Sequence, residues 1–190
     1  MPCGEIDLGS TYDCANPLQG GADPNVLLIN HSDFLSATIG ATPNLITAMT
    51  LKAGGKAAYE FQGFGRSVTP QQEVIRLASG QNLYKHQVGL FIFDRTQLQK
   101  NNIQNLVLGR FIAIVRGTKK DANAFEVYGL GNGLELQPGV INQLNENNGA
   151  YTVILATPEN QAEALLPQTF FTTDYATTLA AVEALKTPTA

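Results

Sequence analysis

Two cysteines and two histidines are the only thiol and imidazole groups in this 190-residue chain. Cys3 and Cys14 stand near the start, while His31 and His86 lie on separate segments. A zinc site needs about four ligands converging on one point, and neither CxxC nor HExxH spacing occurs. A Cys–His nucleophile pair would need its thiol activated by a helix N-terminus or an adjacent base. Cys14 instead stands in a Gly- and Pro-rich stretch, and His86 in mid-strand. The carboxylates are single and scattered, with Glu60, Glu126 and Glu135 at strand positions facing solvent or a partner. No GxSxG motif is present. The expectation is therefore a chain without catalytic residues, cofactor or metal. A small enzyme stays as the remote alternative.

One Gly-rich motif invites a nucleotide-binding reading, Gly129–Gly133 (GLGNG), which follows a strand pattern. A phosphate-binding turn must open a helix whose N-terminal amides face the phosphates. Here LELQPG follows, alternating and then breaking, so a bulged turn is expected. Gly54-Gly55 and Gly63–Gly65 lack the Lys-Ser/Thr of a phosphate loop.

These groups must be held by the elements around them. Residues 1–24 carry recurrent Gly and Pro with no period of 2 or 3.6, and read as an N-terminal arm. Residues 25–190 read as a single domain. It opens with the apolar run Asn25–Ile29 and the alternating Leu45–Lys52, which Gly54-Gly55 is expected to turn into a hairpin with KAAYEFQG. Residues 64–82 form a long loop or excursion whose centre, EVIRLAS, suits strand or helix. The clearest strand follows, with Tyr84, His86, Val88, Leu90 and Ile92 on one face. A helix is predicted over Thr96–Leu108, capped by Asp94 or Thr96 and ended by Gly109, with Leu98, Ile103, Leu106 and Val107 as its buried stripe. Phe111–Gly117 and Ala124–Gly131 read as an antiparallel pair, and Ala150–Thr157 as a strand. A C-terminal helix over 174–186 buries Tyr175, Leu179, Val182 and Leu185. Strand–helix–strand occurs once, which disfavours a doubly wound parallel sheet. The fold class expected is mainly β with α (α+β), an antiparallel β-sandwich or barrel with one central flanking helix and a C-terminal helix.

Composition limits the partners. Charged residues make up 15% of the chain, below the ~25% usual for soluble domains, and 15 Asn with 13 Gln supply polarity instead. An amide surface can be covered by a partner without stripping water from many ions, which suits self-assembly. The net charge of −4 and scattered Lys and Arg argue against tight binding to a phosphate backbone. No export signal is expected in residues 1–20, which lack a basic start and an apolar run, and no 18-residue apolar stretch exists for a membrane span.

Several segments together carry a likeness: DCANPLQGG, LITAMTLKAGGKAAYEFQG, YKHQVGLFIFD, LVLGRFIAIVRG, AFEVYGLGNGLEL, GAYTVILATPE and TFFTTDYATTLAAVEAL. The chain resembles virion structural proteins from tailed phages and prophages of Bacteroidota, similar in outline to tail tube proteins. The likeness runs from about Cys14 to Leu185. It implies a β-sandwich or barrel subunit that closes into hexameric rings, stacks, and conducts double-stranded DNA without tight binding. The arm and the 64–82 excursion would reach an adjacent ring. Partners implied are copies of itself and other tail proteins, with no membrane; the location implied is the virion tail, after synthesis in the bacterial host cytoplasm. Expected interface residues are Tyr12 and Leu18 in the arm, and Phe64, Arg66 and Val68 in the excursion. A neck or connector protein, or a capsid-decorating one, shares this size and composition and stays an open alternative.

Overall fold

Strand β7 (Phe111–Gly117) is buried along its first five residues, an uninterrupted apolar run that only a strand covered on both faces can use. Its odd-numbered side chains enter one core and its even-numbered ones another, and the rest of the fold follows from that division. The computed structural model describes residues 21–77, 80–139, 141 and 149–189.

Beside β7 lie β1 (Ala22–Asn30) and β8 (Phe125–Tyr128), both antiparallel to it. The sheet extends through β11 (Gln168–Phe170) to β3 (Leu45–Leu51) and β2 (Phe34–Ile39) on one side, and to β4 (Tyr59–Phe61) on the other. All its pairings are antiparallel except β11 with β3, which is parallel. The second sheet has four strands in the order β5 (Val68–Arg76), β6 (Asn82–Ile92), β10 (Tyr151–Ala156) and β9 (Glu135–Leu136). Neither sheet closes into a barrel; the architecture is a mainly β sandwich with two helices.

The first core lies between the sheets. Val26, Leu28, Ala113, Val115 and Tyr128 of the seven-stranded sheet meet Val68, Val88, Leu90, Val153 and Leu155 of the four-stranded one. Helix α1 (Gln97–Leu108) closes one end with Ile103 and Leu106. Thr96 caps it, accepting the Gln99 N–H at 3.3 Å. The predicted apolar stripe holds only in part, since Leu98 and Val107 are 71% and 59% exposed. Spacing along the helix put all four residues in the stripe, but the core reaches only the side carrying Ile103 and Leu106.

The second core lies on the opposite face of the seven-stranded sheet, where α2 (Tyr175–Ala184) packs with Val182, Leu179 and Tyr175 against Leu27, Ile114 and Phe125. The Asp174 carboxylate caps this helix through the Thr177 N–H, at 2.8 Å. A short 3-10 turn, His31–Asp33, joins β1 to β2 although four strands separate them in the sheet. The sheet therefore curls until its far end returns to this corner, where Lys52 N–H donates to Asp33 O and the Lys56 ammonium lies 3.0 Å from the Asp33 carboxylate.

Three expectations need correction. β1 begins at Ala22, inside the segment read as arm, because Ala22 already pairs with Gly117. Leu45–Lys52 does not form a hairpin with the chain after Gly54-Gly55, although both glycines have positive φ. The C-terminal segment supplies the partners instead: Gly55 N–H donates to Thr189 O and Ala58 N–H to Leu185 O, and the chain crosses to pair β4 with β1. The 64–82 excursion is not a loop throughout. Nine of its residues form β5, in register with β6 from Val68 opposite Leu90 to Arg76 opposite Asn82.

Candidate assembly surface

β6 bonds to β10 only over Gln87–Ile92, whereas its pairing with β5 continues to Asn82. Beyond β10, β6 is bridged through Tyr84 to Glu163, while β5 is left as an edge strand among the described residues. Phe91 N–H donates to Ser67 O (3.0 Å) and Leu77 N–H to Gln81 O (2.9 Å). In an antiparallel ladder these bonds mark the odd-numbered residues of β5 as the ones bonded to β6. Val68, Pro70, Gln72, Val74 and Arg76 therefore turn their backbone polar groups to the open edge. Pro70 falls where no donor is required, the position at which an edge strand tolerates proline. Gln72, Val74 and Arg76 are all exposed, Val74 to 63%, and Leu77 beyond them to 38%.

The sequence-predicted interface residues fare differently. Phe64 is 79% exposed and Arg66 is exposed as well. Val68 is not a surface residue: its side chain is 6% exposed and packs in the first core, because its register with Leu90 points it inward. Tyr12 and Leu18 lie outside the described residues, as do Cys3 and Cys14. Arg66 and Val68 do come together, at a groove of about 710 Å³ between the two sheets. Val68 and Val115 form its apolar floor, Arg66, Gln71 and Glu126 its rim, and Gly21 opens into it. Sequence reasoning missed Gln72, Val74 and Arg76. Pro70 inside an alternating run was the available signal for an edge.

His86 is a buried structural residue. Its Nδ1 accepts the Gly129 N–H at 3.1 Å, so the neutral ring carries its proton on Nε2 and donates to Leu165 O at 2.9 Å. The Tyr128 ring meets it edge-on with centroids 5.7 Å apart. Burial pushes the imidazole pKa below its ordinary value, partly offset by the Leu165 carbonyl. The Gly129–Gly133 turn is thereby tied down from one side. On the other, the Glu163 carboxylate accepts the Asn132 N–H at 2.8 Å. Burial raises the Glu163 pKa, while the Asn132 and Gly131 amides and the nearby His31 pull it the other way. The motif that suggested phosphate binding is a turn in which the Gly129 and Asn132 amides bond side chains of the same chain and the Gly133 amide bonds the Gly129 carbonyl.

A second groove, of about 500 Å³, runs between β4 and α1, with Leu28, Leu106 and Phe111 beneath the amides of Asn30, Asn102 and Asn105. Its charged groups, Glu60 and Lys186, pair with each other at 3.0 Å. Among the described residues no cluster of three His, Cys, Asp or Glu side chains could hold a metal ion. No helix among them is long and apolar enough to cross a membrane. Comparison with family models, curated proteins and solved structures finds no match to this chain.

Proposed function

We propose that this chain is a self-assembling subunit of a phage tail tube, closing into rings by pairing open sheet edges of adjacent copies. The observation that carries the reading is β5, a nine-residue strand at the edge of its sheet whose outer polar groups have no backbone partner among the described residues. Such an edge is a template for another chain, and ring closure removes it. The other sheet offers a second open edge in β2, six residues long with Leu35 and Ile39 exposed to 58% and 47%. Joining two different edges is a head-to-tail contact, which generates a ring when the rotation closes.

The outward face of the four-stranded sheet also suits a conduit. Thr69, Gln71 and Glu73 stand there opposite Gly89, Gln87 and Lys85. Glu73 and Lys85 cancel in charge, so this face would neutralise few phosphates and let DNA pass without tight binding. The likeness to tail tube proteins points the same way.

The test is negative-stain microscopy of the purified protein, with light scattering for its mass. Rings or hollow stacks are expected, with a mass of about six subunits, the ring number that the likeness to tail tube proteins implies for a closed cyclic assembly. In Val74→Lys the rings should be lost while unfolding stability moves by less than about 0.5 kcal/mol, because Val74 is 63% exposed. A chain that stays monomeric at every concentration would overturn the reading.

A further inference from the structure

The corner at the end of β1 brings together a carboxamide, a carboxylate and a primary amine. The geometry points to a self-catalysed isopeptide bond there, joining the Lys56 amine to the side-chain carbonyl carbon of Asn30, with Asp33 as the acid–base group. Asp33 is buried, and its two carboxylate oxygens are divided between the two partners. Oδ1 lies 3.0 Å from Lys56 Nζ, and Oδ2 accepts from Asn30 Nδ2 at 2.8 Å. One carboxylate therefore holds the nucleophile and the leaving nitrogen side by side, which turns a bimolecular aminolysis into a reaction within one frame. The other lysine of the corner is engaged elsewhere, since Lys52 Nζ donates to the Ser32 carbonyl at 2.6 Å. Both reacting residues are fixed through their backbones. Asn30 is held in β1 by its pairing opposite Phe111 of β7. Lys56 N–H donates to Thr189 Oγ1 at 3.1 Å, and the Lys56 carbonyl accepts the Thr189 N–H at 3.0 Å.

The reaction balances without an outside reagent. Ionised Asp33 takes a proton from the Lys56 ammonium as general base, and the freed amine attacks Asn30 Cγ to form the new C–N bond. Burial by itself would raise the Asp33 pKa, but the bonds from Asn30, Lys56 and Ser32 outweigh it and hold the group below its ordinary value. The base form is thus the resting one. Protonated Asp33 then delivers its proton to Asn30 Nδ2, the atom it already bonds, and the old C–N bond breaks. Ammonia leaves, and the second proton released from Nζ follows it through Asp33 as ammonium. One hydrogen stays on the new amide, so an ammonium and a carboxamide become a secondary amide and an ammonium ion. Lys56 is half-buried, which leaves the ammonia a way out. The bond staples the end of β1 to the segment that leads into β4 and closes the chain over residues 30–56, restricting the unfolded state as any cross-link does. It needs a single copy of the chain and stands apart from ring formation.

Mass spectrometry of the purified full-length chain, after incubation in mildly alkaline buffer, tests the inference. The intact protein should be lighter than its sequence by one ammonia. Trypsin should fail to cut after Lys56, and the digest should contain the peptide ending at Lys52 joined through Asn30 to Ala53–Arg66. A succinimide at Asn132-Gly133 would also lose ammonia, so the joined peptide, stable to hydroxylamine, is the deciding species. Lys56→Arg keeps a positive charge beside Asp33 but offers no amine, and Asp33→Asn removes the base. Both variants should keep their full mass and give no joined peptide. A parent chain of full mass, or ammonia loss without the joined peptide, would overturn the inference. A joined peptide that persists in Asp33→Asn would overturn the role of Asp33. Because the bond is read in the parent itself, a variant that fails to fold leaves that result standing.

Discussion

Replacing His86 by leucine should destabilise the fold by an amount that depends on pH. The imidazole is 3% exposed and serves two buried backbone groups at once, accepting from Gly129 N–H and donating to Leu165 O. Leucine fills similar space but leaves a buried N–H without a partner, at a cost of about 1–3 kcal/mol. The lost edge contact with Tyr128 adds roughly 0.5–1.5 kcal/mol. At pH 8 we expect a total near 2–4 kcal/mol, read as a shift in urea midpoint by far-UV circular dichroism. Protonation then changes the comparison. A proton on Nδ1 would face the Gly129 N–H, donor against donor, and would place a charge in the core. The folded pKa therefore lies below the ordinary 6.5. The stability that neutral His86 supplies is complete above 6.5 and is lost as pH falls from there toward the folded value, at up to about 1.4 kcal/mol per unit. Glu163 acts with the opposite sign in the parent and the variant alike, so the difference between the two proteins isolates His86. That difference should be largest at pH 8 and shrink steadily below pH 6.5. A difference that stays constant from pH 8 to pH 5 would refute the assignment of a neutral, doubly bonded ring.

Two further outcomes follow from the same corner of the molecule. Glu163 has its folded pKa raised above the ordinary 4.5, so the stability it contributes is complete below 4.5 and is lost as pH rises through the folded value. Glu163→Gln can still accept the Asn132 N–H but carries no charge; its stability relative to the parent should increase with pH between 5 and 8 in urea titrations. Gly129 has φ +69°, and a Cβ there would come within 2.6 Å of the Leu134 side chain and 3.1 Å of the Gly133 backbone. Gly129→Ala should cost roughly 2–4 kcal/mol by left-handed strain together with overpacking, measurable as a lower thermal midpoint.

Much of this fold is written locally. The alternation of Val88, Leu90 and Ile92, the doubly apolar run in Phe111–Val115, and the caps at Thr96 and Asp174 each report on neighbours within a few residues. Strands and helices appear where those patterns place them. Pairing is different, because it is decided by groups distant in the chain. Gly54-Gly55 has the backbone of a turn, yet the C-terminal residues Leu185 and Thr189 take the bonds a hairpin would have used. Spacing put Leu98 and Val107 in the apolar stripe of α1, but only Ile103 and Leu106 face the core. The candidate assembly surface was half legible. Phe64 and Arg66, expected at an interface from their place in a polar, Gly-rich stretch, are exposed, whereas Val68 is turned inward by its register with Leu90. That β5 lies at an edge among the described residues, with the Gln72 and Val74 amides directed away from β6, depends on which strands fill the rest of the sheet. Periodicity fixes which side of a strand is apolar; only the assembled tertiary structure decides which of its two backbone edges finds a partner.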